Sequence, residues 1–448
     1  MTHDLSLIAM VSGGIALLLL LVIRFRLHAF PALILVSLLI GLAALMPPAA
    51  VIRSIEVGMG ETLDFVAVVV GLGAMFGRLL EASGGAESLA RGLIRAFGES
   101  KAQWALAATG FIVSIPVFFD VGFIILVPLV YGLTRKTGRP VLYYGVPLLA
   151  GLAVTHAFVP PTPGPIAVAD LLGAELGWVI LLGIVAGIPC TLVAGPLFAR
   201  WIARRVPAGI PSYAETAPPQ AGRELPPLGT VAALILLPLG LILANTVSKQ
   251  VLAETSRARD VLMFAGHPFV ALLTATLLCF WLLGTRRGFT RSEVQEIAAK
   301  ALEPAGIIIL VTGAGGVLKQ VLIDSGVGDV VKNALSGSPL PLLVLAFLVA
   351  AAVRVMQGSA TVAMMAGAGL IAPVLEGMPV SQPSRALLVV SIAAGATIAS
   401  HVNDSGFWLV NRYFGLSVSD TLRSWTVMTT LIALVGLAAA GLLSLVVG

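Results

Sequence analysis

Charge is the scarcest property of this chain. Only 11% of its 448 residues are Asp, Glu, Lys or Arg, against 58% hydrophobic, and the mean hydropathy is +1.02. A soluble domain carries roughly 25% charged residues, so a soluble fold is excluded. Cysteine is almost missing. Cys190 and Cys279 both lie inside apolar runs, which leaves no disulfide framework and no metal-ligand spacing, and both read as small buried hydrophobes. Neither a metal nor a cofactor is implied. The opening MTHD lacks the basic stretch of a cleaved signal, and positive charge follows the first apolar run. The formal net charge of +5 calls for no nucleic acid, because the excess Arg and Lys sit in short loops, where they set membrane orientation.

Long apolar runs are abundant, and so are Gly (48) and Pro (27), both more frequent in membrane helices than in soluble ones. The chain therefore reads as an all-α polytopic membrane protein in contact with lipid. Leu5–Ile23 reaches the roughly 20 residues a crossing needs, and Arg24, Arg26 and His28 place the following loop inside and the N-terminus outside. Ala32–Met46 returns outward and Phe65–Leu80 comes back in, followed by an amphipathic surface piece, Glu87–Phe97. Ala102–Thr134 is interrupted at Ser114–Gly122 and has basic residues at both ends, so it is expected as a re-entrant hairpin with Asp120 near its tip. Leu142–Leu172 crosses outward with a break at Thr155–Pro165, and Trp178–Phe198 crosses back. Six prolines and several arginines between Arg200 and Pro227 mark a cytoplasmic linker.

The second half repeats this plan. Leu228–Ala244, Val261–Gly284 and Pro304–Leu322 are crossings, with an outer loop at Lys249–Asp260. Pro339–Leu375 is a second interrupted run, broken at Arg354–Thr361. Ala386–Phe414 is a second broken crossing, interrupted at Ala396–Trp408, and Trp425–Val447 ends the chain outside. The expected organisation is a first membrane repeat over residues 1–203, a linker over 204–227 and a second repeat over 228–448, with both termini periplasmic. Letters support the duplication: GLGAMFGRLLEASG from Gly71 recurs as GAGGVLKQVLIDSG from Gly313, 242 residues later. His156 and His401 stand 245 apart, each after a hydroxyl residue, Thr155 or Ser400. Five crossings per repeat is an odd number, so the second copy is expected upside down relative to the first. Inverted repeats with paired broken helices are a secondary-transporter design.

The breaks concentrate the chemistry. Charged side chains at membrane depth usually line a polar path, and irregular backbone survives there only if it is buried in protein or faces water. Half-helix N-termini offer free N–H groups and a positive dipole that suit a carboxylate. Thr155, His156, Thr162, Gln357, Gly358, Ser359, Thr361, His401, Asn403 and Ser405 are the expected substrate contacts. Local capping is the competing reading for the hydroxyl residues. Asp120, Asp404, His156 and His401 are the expected proton carriers, with a permanent ion pair to Arg354 or a capping role as the competing reading for the aspartates. Pro160, Pro161, Pro163 and Pro165 stiffen the first break.

Four stretches carry a family resemblance: VFFDVGFIILVPLV from Val117, LAVTHAFVPPTPGPIAVAD from Leu152, QGSATVAMM from Gln357 and ASHVNDSGFW from Ala399. They resemble the gluconate permease family, the gluconate:proton symporters. The resemblance implies proton-driven uptake of gluconate or a related sugar acid across a bacterial inner membrane, and no enzyme activity. Rival readings are a transporter of another anion such as lactate or a dicarboxylate, with sodium in place of protons, an intramembrane enzyme using Asp120 and Asp404, and a channel. The oligomeric state, a homo-oligomer included, stays open.

Overall fold

The computed structural model describes residues 13–211, 224–326 and 341–447, apart from residues 15, 19 and 377. The expected first crossing lies largely outside them, as do the centre of the linker and the start of the second interrupted run. Seventeen helices organise the rest. They are α1 Ala29–Ala43, α2 Pro48–Ala82, α3 Gly85–Phe97, α4 Ala102–Val113, α5 Phe119–Thr137, α6 Val141–Phe158 and α7 Pro163–Leu172. After them comes α8 Leu176–Arg205. The second half holds α9 Leu228–Val251 and α10 Arg257–Ala265, α11 Pro268–Arg287, α12 Arg291–Asp324, α13 Leu342–Gln357, α14 Ala360–Leu375, α15 Gln382–Thr397 and α16 Ser405–Tyr413. The last is α17 Val418–Val447. Among the described residues, seven stretches are long and apolar enough to span a bilayer, including α6–α7 taken as one interrupted element.

Two helices differ in length from the sequence expectation. α2 has 35 residues and α12 has 34, each about 50 Å at 1.5 Å per residue. Their polar first halves, which include Arg53, Glu56 and Glu61 in α2 and Glu293, Glu296 and Lys300 in α12, look like loop in hydropathy. They stay helical because the two helices pack antiparallel along their length. A Cβ on Gly58 would stand 2.6 Å from the Gly316 carbonyl, and one on Gly316 would stand 2.5 Å from the Gly58 carbonyl. Near-contact of backbones through small residues is how membrane helices gain packing that lipid cannot supply. Both helices end alike. Ser83 and Ser325 each donate a side-chain hydrogen bond three residues back, at 3.0 Å, and Gly84 and Gly326 follow with φ of +77° and +73°.

The crossing expected over Val261–Gly284 is split. α10 ends before Gly266, and His267 caps α11 by accepting from the Phe269 amide at 3.3 Å. His28 caps α1 in the same way through the Phe30 amide, also at 3.3 Å. The paired HAF and HPF triplets are a repeat signal that hydropathy does not show.

Both interrupted runs turn back. At 12 residues, α4 is about 18 Å long, short of a roughly 30 Å hydrocarbon core. Its start and the end of α5 meet in one polar cluster: the Gln103 side chain donates to the Tyr143 carbonyl at 2.8 Å and the Tyr144 hydroxyl to Thr137 at 3.2 Å. The second hairpin closes on itself, with Gly367 of α14 against Ala350 of α13. The halves differ in how the second arm docks. α14 packs on α7 and α12, whereas α5 packs mainly on α6 and α3. Both crossings expected to be broken are broken, at Val159–Thr162 and at Ile398–Asp404.

α4 meets α6 at another glycine pair: a Cβ on Gly151 would stand 2.3 Å from the Ala107 carbonyl. Gly151→Leu is expected to lower the detergent-solubilised unfolding temperature by the equivalent of about 3 kcal/mol or more, beyond ordinary overpacking. Gly240→Leu, where a Cβ meets nothing within 4 Å, is the control expected to unfold near the unsubstituted temperature in the same melt.

Candidate functional site

A cavity of about 470 Å³ lies where both hairpin tips meet the second break. That volume is within the usual range of small-ligand sites. Nine residues expected from the sequence line it: Asp120, His156, Gln357, Gly358, Ser359, Thr361, Asn403, Asp404 and Ser405. Asp120 and Thr361 hold matching places, each the second residue of its hairpin's second arm. The N-terminal turns of α5, α14 and α16 therefore all open their positive dipole ends on this space, those of α14 and α16 partly satisfied by the local caps Ser359 and Asp404. Asp120, Asn403 and Ser405 are exposed to solvent although they sit at helix breaks.

One ion pair ties the tip of the second hairpin to the second break. Arg354, only 4% exposed, reaches Asp404 at 2.5 Å and also donates to the Gly358 carbonyl. Asp404 further accepts from the Ser400 hydroxyl and, at 3.1 Å, from the Gly406 amide, which caps α16. Asn403 donates its side-chain N–H to the Val355 carbonyl at 3.0 Å. Gly358 has φ +87°, and a Cβ there would stand 2.3 Å from the Asn403 carbonyl. Only glycine makes both the turn and the approach. Ser359 caps α14 by accepting from the Val362 amide at 3.4 Å, so the local capping reading describes that hydroxyl in this structure.

Three expected residues stand off the cavity. Thr155 is fully buried, and its hydroxyl has no hydrogen-bond partner among the described residues. Thr162 donates to the Val159 carbonyl at 2.7 Å and faces Gly73 and Pro116. His401 turns its Nδ1 to the Ala399 carbonyl at 2.9 Å. The first break thus supports the cavity through His156 on α6, one turn before it, while its proline loop packs against α2. The two breaks do not face each other across the cavity.

Sequence reasoning missed the support beneath Asp404. Ser400, 1% exposed, accepts from the Trp425 indole at 2.6 Å, and its carbonyl accepts from Thr426 at 2.5 Å. Its amide donates to Thr429 at 3.2 Å. Trp425 and Thr429 also line the cavity. Trp425 looked like the start of an ordinary last crossing, and only the hydroxyl before His401 hinted at Ser400.

A chain of membrane-length helices, two of them broken, with a polar cavity that solvent reaches at the second break, is a multi-pass membrane protein of the permease class. The chain belongs to the GntP family of permeases, whose model matches residues 5–446. It is 42% identical over 433 residues to the low-affinity gluconate transporter of Escherichia coli K12, covering 96% of this chain and 97% of that one. It is 41% identical over 449 residues to the gluconate permease of Pseudomonas aeruginosa, covering 100% and 99%. It is 40% identical over 435 residues to the Gnt-II system L-idonate transporter of Escherichia coli K12, covering 95% and 96%. Among solved structures, the YdaH transporter of Alcanivorax borkumensis has the same fold at a TM-score of 0.61, with 16% identity over 88% of this chain and 86% of that one. MtrF of Neisseria gonorrhoeae has it at 0.63, with 14% identity over 87% and 83%.

Arg354→Ala is expected to destabilise the protein by about 3–5 kcal/mol, because it leaves the Asp404 carboxylate at the break without its cation. Adding Asp404→Ala should recover part of that loss. A double-mutant cycle on thermal unfolding measures the coupling, and additive losses would show that the pair contributes nothing.

Proposed function

We propose that the chain is a secondary transporter of the bacterial inner membrane that takes up gluconate or a related sugar acid together with protons, by alternating access, and is not an enzyme. The observation that carries this reading is the cavity at the meeting of both hairpin tips and the second break. It offers three helix N-termini for a carboxylate, and Thr361, Ser405 and Gln357 for hydroxyls. The relatives named for gluconate and L-idonate point to the same substrate class.

Two membrane units of opposite orientation supply the machinery. The repeated order of long helix, hairpin and broken helix, the shared Ser-Gly ends of α2 and α12 and their antiparallel packing support that reading. The basic ends of α4 and α5 mark the cytoplasmic side. The second hairpin is closed on α7 and α12, and the tip of the first lies against α2, where Pro116 meets Gly77; alternating access would release one of these contacts at a time.

Reconstituted into proteoliposomes, the protein should show saturable exchange of labelled gluconate, blocked by excess L-idonate and little affected by lactate. An acid-outside gradient should drive net uptake. Flux that rises linearly with concentration would indicate a channel, and block by lactate at lower concentration than by gluconate would indicate a different anion.

A further inference from the structure

We propose that Asp120 is the single proton-carrying group of the cavity, that one proton accompanies each monovalent anion, and that transport is therefore electroneutral and driven by the pH difference alone. The proposal rests on the anion–proton symport reading above.

Four titratable or charged side chains face the cavity: Asp120 from α5, His156 from α6, Arg354 from α13 and Asp404 from the second break. α14 and α17 contribute only neutral groups there, Thr361, Trp425 and Thr429 among them. Arg354 and Asp404 are 2.5 Å apart, and Asp404 is further held by Ser400 and the Gly406 amide. Their charges cancel, and a proton on Asp404 would break the contact that docks the second hairpin. His156 packs its ring on Phe118 at 6.0 Å, and its buried Nδ1 has no partner among the described residues, so a proton there finds no acceptor. Asp120 is exposed to the cavity. Among the described residues it has neither an ion-pair nor a hydrogen-bond partner. One uncompensated negative charge therefore remains.

A substrate carboxylate entering beside Asp120 adds a second negative charge, and two like charges a few ångströms apart repel. A proton taken from the outer side onto an Asp120 carboxylate oxygen removes that repulsion, and the same proton leaves to inner water after the anion does. No other bond forms or breaks. The empty cavity with ionised Asp120 and the loaded cavity with neutral Asp120 carry the same net charge, one negative. The membrane potential therefore does equal and opposite work on the two reorientations, and it cancels over the cycle. One pH unit then sustains about tenfold accumulation, since 1.36 kcal/mol is one decade.

Proteoliposomes decide the matter, with labelled gluconate and the potential set by valinomycin and potassium. The unsubstituted chain should accumulate about tenfold per pH unit and show a ratio of one under a potential of either sign at equal pH. Accumulation driven by an inside-negative potential would mean more than one proton per anion and overturn the proposal. Asp120→Asn should bring the ratio to one under any pH gradient while label exchange remains measurable. Asp404→Asn and His156→Gln should keep a ratio that follows the gradient, at whatever rate. Gradient-driven accumulation by Asp120→Asn would also overturn the proposal. Absence of any gluconate exchange by the unsubstituted chain would remove the transporter reading itself, whereas exchange without pH-driven accumulation would remove this proposal alone.

Discussion

The buried pair of Arg354 and Asp404 fixes the centre of the molecule. Taking two charges out of water costs several kcal/mol per ion, and apolar groups of the same size often stabilise a fold equally well. Such a pair is best understood by what it specifies. Here it sets the tip of the second hairpin against the second break, with Gly358 lying on the backbone of Asn403. The tip forms one wall of the cavity and the break another, so their mutual placement is the placement of the site. Ser400 transmits the same constraint to α17 through Trp425 and Thr426.

Much of this was legible in the sequence because membrane physics leaves few alternatives. Polar residues within apolar runs mark breaks, and basic flanks on both sides of Ala102–Thr134 demand a return. Nine of the twelve named site residues do line one cavity. What hydropathy could not show were tertiary facts. The polar halves of α2 and α12 each have the other helix to pack on, and the Thr290–Glu293 capping box closes the start of α12. The split at Gly266 is written in capping chemistry rather than in apolarity. His401 matched His156 in spacing, yet α15 ends at Thr397 while α6 continues through His156 to Phe158. Equivalent letters thus fell on unlike backbone, and only one imidazole reaches the cavity.

Unlikeness between the halves recurs at the tips. Thr361 on one side answers Asp120 on the other, and the second tip is held by an ion pair that has no counterpart at the first among the described residues. The turns differ as well, Gly358–Ser359 in one and five residues, Ser114 to Phe118, in the other. The two tips thus open on one cavity with matching geometry and different side chains.

The polar cluster at the foot of the first hairpin has a mechanical consequence. Gln103 and Thr137 fasten both legs to the start of α6, so the hairpin cannot slide along its axis without tearing those bonds. Because α4 is also locked along α6 where Gly151 meets the Ala107 backbone, what remains is rotation of the hairpin and α6 as one body about that foot. With an arm of about 18 Å, a swing of roughly 10° carries the apex by about 3 Å, comparable to the width of one water molecule. Displacements of that size separate a wetted passage from a closed one.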